Sequence, residues 1–185
     1  MEYGSIDREF SIEASPEVVF EVISSPEYIR EWWSAEAVIE PREGATGELS
    51  WADGDNPRAH VSPFTVVRAE PPHVFAFRWV YEDGVEPGPG TSLLVTFELS
   101  PSETGTTVRF SESGFREMGW EIAKLEDYYN DHTNGWDSFL PRLATTAAKA
   151  PCRHRLTSFS RAQAQRRVRR ASDRDHERRT GPLSS

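Results

Sequence analysis

The chain has 185 residues, 21 Lys and Arg against 30 Asp and Glu, and 37% apolar residues, the size and mix of one globular domain with an appendage. No stretch approaches the roughly 18 apolar residues of a membrane span, the opening MEYGSIDREF is too acidic and polar for a secretion signal, and the single Cys152 excludes an internal disulfide, a cysteine zinc cluster and a paired-thiol centre. The charge is split, with a balance of −16 through Ala150 and +7 beyond it, so the body repels nucleic acid and anionic membranes and only the Arg-rich end can attract them.

Ile6, Phe10 and Ile12 alternate with Asp7, Glu9, Ser11 and Glu13, the period of a strand with one buried face, interrupted by Arg8. Ser15-Pro16-Glu17 and Ser25-Pro26-Glu27 each place a cap residue before a proline suited to a first helical turn, which predicts two short helices over VVFEVIS and YIREWW. From Ala35 to Gly114 short alternating segments are broken by PREGATG, DGDNPR, EPP, EDGVEPGPG and SPSETG. That pattern predicts an antiparallel meander of about six strands. Phe75, Phe77, Trp79 and Tyr81 share one face, as do Leu93, Val95, Phe97 and Leu99, and Val108 goes with Phe110.

Trp136, Phe139, Leu140, Leu143, Ala144 and Ala147 recur at spacings of three and four, which predicts a long helix from about Ile122 to about Lys149. Pro141 inside it predicts a kink or break at Trp136–Asp137. Beyond Ala150 the Arg-rich text contains one aromatic residue, Phe159, and no stripe wide enough for a core. The expected organisation is therefore a domain over residues 1–150 and a disordered tail over residues 151–185, in a cytoplasmic protein with no membrane partner. One strand, two short helices, a meander and a long helix leave few compact arrangements. The expected one is α+β, a strongly curved sheet of about seven strands gripping the last helix, with a cavity where sheet and helix diverge.

The segments SIEASPEVVFEVISSPEYIREWW, FTVVRAEPPHVFAFRW, ESGF and HTNGWDSFLPRL occur in this order. Together they resemble the START-like helix-grip (SRPBCC) superfamily, over about Tyr3 to Ala150. Within it they are most similar to the branch named after the activator of the ATPase of the ninety-kilodalton heat-shock protein. The resemblance implies the fold and a hydrophobic cavity. It says less about chemistry, because lipid carriers, hormone receptors and aromatase/cyclases share that fold.

No catalytic motif stands out. His60, His73, His132, His154 and His176 lack metal-ligand spacing, and GxSxG, a phosphate loop and a dinucleotide loop are all missing, so neither cofactor nor metal is expected. Arg8 can be read as a cavity arginine that grips a ligand carboxylate, or as a strand arginine paired with a nearby acid. His132, four residues before Trp136, reads as a general base facing the cavity or as a hydrogen-bonded structural histidine. Trp33, Trp51, Phe75, Phe77, Trp79, Phe97, Phe110 and Trp136, with Tyr128 and Leu140 on the last helix, form the candidate ligand-binding set, and equally the material of an ordinary core. Residues 116–134 read as a lid over the cavity mouth or as a linker. The expected function is binding of a small hydrophobic or aromatic molecule. The alternatives are an aromatase/cyclase- or hydrolase-like enzyme using the same cavity, and a co-chaperone that binds a chaperone partner through its outer surface.

Overall fold

The computed structural model describes residues 3–80, 85 and 87–151. The expectations for Tyr81, for part of the glycine-rich loop, for Cys152 and for the Arg-rich end fall outside them. In chain order come β1 (Ser5–Ile12), α1 (Pro16–Ser24), α2 (Pro26–Trp33), β2 (Glu36–Val38), β3 (Thr46–Asp53), β4 (Asn56–Glu70), β5 (Val74–Trp79), β6 (Leu93–Ser102), β7 (Gly105–Ser113), a 3-10 turn at Arg116–Met118 and α3 (Ile122–Lys149). The seven strands make one curved antiparallel sheet in the order β1-β7-β6-β5-β4-β3-β2. Strands β2 to β7 are a meander, and β1 closes the far edge beside β7. The α1–α2 pair carries the chain from one edge of the sheet to the other, which gives the α+β helix-grip architecture.

Alternation decides which side chains point inward. Along β7 the buried residues are Thr106, Val108, Phe110 and Glu112. The register sets Phe110 against Phe97 and Phe97 against Phe75, a phenylalanine row across three strands. The next inward row carries Phe77, Val95, Glu112 and Ile6, so an acid stands where the neighbouring strands place apolar residues. Between β6 and β7 the chain turns through Gly105 at φ +152, where an added Cβ would lie 2.2 Å from the Ile12 carbonyl oxygen.

Ser15 and Ser25 occupy the N-cap positions in extended conformation with proline next, yet neither hydroxyl makes a capping hydrogen bond. Burial holds these helices instead, through Val18, Val19, Phe20, Val22 and Ile23 on α1 and Tyr28, Ile29, Trp32 and Trp33 on α2. The last turn of α2 ends at Ser34 in the left-handed region, φ 59. There Arg142 of α3 donates to the Glu31 carbonyl at 3.0 Å and to Ser34 Oγ at 2.8 Å, which ties the end of α2, and with it Trp33, to the long helix.

Helix α3 buries His132, Trp136, Leu140, Leu143 and Ala147. It runs unbroken through Pro141, so the expected break does not occur: one lost hydrogen bond in a 28-residue helix is outweighed by packing on both sides of the proline. Covering of the sheet is shared rather than left to α3. Helix α1 packs on β5, β6 and β7, while α3 packs on α1, α2 and β1. No helix among the described residues is long and apolar enough to cross a membrane.

Candidate functional site

At one end of the sheet the inner face does not close. Trp33 from the end of α2, Trp51 from β3, His60 from β4, Trp79 from β5 and one face of α3 surround a cavity of about 540 Å³. Helix α3 contributes Asp131, His132, Asn134, Gly135, Trp136, Ser138 and Phe139 to its lining. Trp33, Trp79, His132 and Trp136 are buried, Trp51, His60 and Phe139 are half-buried, and Asp131, Asn134 and Ser138 form an exposed rim. The volume lies within the range of small-molecule pockets.

Trp33 is the hub of the wall. Its ring centroid lies 5.1 Å from that of Trp136, 5.5 Å from Trp79 and 6.0 Å from Trp51. These rings meet tilted or edge-on, the arrangement favoured by their quadrupoles. Trp136 is braced from behind by Phe110 at 4.5 Å, and Trp51 packs with His60 at 5.5 Å.

Behind the wall sits Glu112, with no exposed surface. Trp79 Nε1 donates to its Oε1 at 2.8 Å, Trp136 Nε1 donates to its Oε2 at 2.7 Å, and His132 Nδ1 lies 3.0 Å from Oε2. An ionised carboxylate taken out of water needs several donors, and three nitrogens converge on this one from β5 and α3. A carboxylate only accepts, so the His132 nitrogen that faces an ionised Glu112, Nδ1, is the one that carries a proton. The network joins sheet to helix and aims both indole N–H edges at Glu112. Among the described residues no group of three or more His, Cys, Asp or Glu side chains could hold a metal ion.

Of the sequence-derived candidates, the structure brings Trp33, Trp51, Trp79, His132 and Trp136 together around the cavity. Phe75, Phe77, Phe97, Phe110 and Leu140 are buried in the core and are not among the residues that line this cavity, the ordinary-core reading of that set. The physical reason is that α1 and α2 lie over these rings, as Phe20 lying 5.9 Å from Phe75 illustrates, whereas the β3–β5 end leaves the cavity open. Arg8 follows the second of its two readings, a strand arginine paired with an acid. Its Nε and Nη2 donate to Asp137 at 2.9 and 3.2 Å, a bidentate surface pair that raises the guanidinium pKa and holds it outside the cavity. Tyr128 does not line the cavity and packs on Trp120 at 4.5 Å. Residues 116–134 supply Asp131, His132 and Asn134 to the lining, while Ile122 is 76% exposed. Sequence reasoning missed Glu112 and the roles of His60 and Phe139. The signal for Glu112 was present, because its position has the same parity as Val108 and Phe110 on a strand whose inner face is apolar.

Fold and site together define a helix-grip domain with an aromatic cavity between sheet and terminal helix. The model of the family described as activator of Hsp90 ATPase homolog 1-like protein matches residues 13–148, and the chain belongs to that family. Among solved structures it is similar to protein MLL2253 from Mesorhizobium loti at 22% identity, over 80% of this chain and 98% of that one, TM-score 0.63. It is also similar to the Aha1 dimer from Colwellia psychrerythraea at 21% identity, over 79% and 98%, TM-score 0.60. A third likeness is to DynU16, from the dynemicin biosynthetic locus, at 21% identity over 79% of this chain and 48% of that one, TM-score 0.61. No curated protein matches the chain. At these identities the structural likeness concerns the fold.

Proposed function

We propose that this domain binds a small hydrophobic or aromatic molecule in the cavity between β3–β5 and α3, without a cofactor. The observation that carries the reading is a 540 Å³ space walled by four indoles, beside a phenylalanine cluster that leaves only about 10 Å³. Membership of the helix-grip family supports a ligand-binding type of domain, and burying a drug-sized aromatic body supplies micromolar affinity without metal or nucleotide. Native mass spectrometry of freshly purified protein, followed by titration with flavonoids, fatty acids and polyketide-like aromatics while tryptophan emission is recorded, tests it. Saturable binding that is lost on filling the cavity supports the reading. Absence of any binder moves the function to the outer surface, where stimulation of a chaperone ATPase is the assay to run.

A second reading has one observation behind it. The Glu112–His132 contact has the form of a carboxylate-oriented base, with His132 on the cavity wall, so an enzyme that removes a proton from a bound aromatic substrate is the alternative. Turnover abolished by His132→Gln, with binding retained, distinguishes it from simple carriage.

A further inference from the structure

We infer that the molecule taken up by this cavity carries a positive charge, as an ammonium group on an otherwise apolar body. The inference rests on the ligand-binding reading above and adds the charge of the ligand to it. Trp33, Trp51, Trp79 and Trp136 wall one space, with neighbouring centroids 5.1 to 6.4 Å apart. Indole faces attract cations more strongly than any other side-chain ring.

The orientation of two of these rings sharpens the point. Trp79 and Trp136 turn their N–H edges to Glu112, which does not line the cavity, so the positive edges point away from the guest. Donation to an anion also pushes electron density into the ring, which strengthens the negative face. Two carboxylates stand close to the space. Glu112 is fully buried directly behind the wall, Asp131 stands on the rim, and among the described residues neither Lys nor Arg lines the cavity. His132 is committed to Glu112 through Nδ1, and His60 packs against Trp51. A carboxylate in a low-dielectric interior acts over the few ångströms to the guest far more strongly than it would in water. An anionic guest is repelled, a neutral one gains nothing from the carboxylate, and a cation gains from both rings and charge.

The test compares phenyltrimethylammonium with its uncharged isostere tert-butylbenzene by calorimetric titration of the full chain. A plain apolar cavity takes the neutral compound far more tightly, because the cation must shed its hydration. Here the cation is expected to bind at least about tenfold more tightly, as a desolvated cation–π contact reinforced by a carboxylate allows. Replacing all six tryptophans by 5-fluorotryptophan, which drains the ring faces without changing shape, should weaken the cation severalfold and leave tert-butylbenzene unchanged. Glu112→Gln should cost the cation about another tenfold; the fluorinated protein keeps the test decisive if that variant does not fold. Equal or tighter binding of the neutral compound overturns the inference while leaving the ligand-binding reading intact. Cation affinity unmoved by fluorination overturns it as well. Binding of neither compound also overturns it, and the wider titration panel then decides the broader reading separately.

Discussion

The same inner sheet face has two ends that are built differently. Around Phe75, Phe77 and Phe97, where α1 and α2 lie over the sheet, Ile23, Ile29, Trp32, Leu49 and Phe64 close in with almost no space left, and the void there is about 10 Å³. Between β3, β4, β5 and α3, four tryptophans leave about 540 Å³. Phenylalanine and aliphatic groups have no polar obligations and can slide until they interdigitate. Trp79 and Trp136 are pinned by hydrogen bonds to Glu112, so their rings hold the walls apart. A buried carboxylate thus keeps one end of a core open, and Trp33 stands at the boundary, lining both spaces.

The seam between the two ends should be the most sensitive point. Trp136→Ala removes a buried ring that touches Phe110, Trp33 and Trp79 together with one donor to Glu112, and is expected to cost about 3–5 kcal/mol in chemical denaturation. An unchanged midpoint would show that α3 does not grip the sheet. Glu112→Leu leaves two indole N–H groups and His132 without their acceptor, and about 3 kcal/mol of destabilisation is expected, in contrast to the near-neutral result of an acid that merely fills space.

The comparison itself is broken or upheld by a matched pair. Phe97→Ala at the closed end should cost about 3–4 kcal/mol, whereas Trp51→Ala on the half-buried open wall should cost below about 2 kcal/mol, because water already reaches that site. Equal losses would mean that the cavity is closed in solution. At Gly135 an added Cβ meets only Phe139, at 3.9 Å, so Gly135→Ala should stabilise by up to about 1 kcal/mol through helix propensity. The larger Gly135→Leu should keep the melting temperature and abolish ligand uptake, as read by calorimetry.

The smallest effect is electrostatic. The Arg58 hydrogen bond holds the Glu48 carboxyl below its ordinary pKa. A lowered folded-state value stabilises above the unfolded carboxylate range, and that stabilisation is lost as pH falls through the folded value. Arg58→Gln should therefore lower the melting temperature only slightly at neutral pH, and the difference from the parent should vanish in acid.

Much of the architecture was legible in the residues because it depends on local periodicity. The Ser-Pro-Glu signals placed α1 and α2, the spacing of Trp136, Leu140, Leu143 and Ala147 gave the bounds of α3, and the turn residues separated the strands of the meander. At Pro141 the helix continues without a break, because a proline's local cost says nothing about the packing that overrides it. The candidate site was only half legible. Alternation collects large rings on one face of a strand, and it carries no information about which rings another element covers.

What the sequence determined alone was therefore the order of elements, their inward faces and the supply of tryptophans. Only the tertiary structure decided that α1 and α2 seal the phenylalanine row, that Arg8 pairs with Asp137, and that Glu112 lies within reach of Trp79, His132 and Trp136. Those contacts join residues 20 to 129 positions apart, and such pairings follow from sheet register and helix docking, which no local pattern encodes.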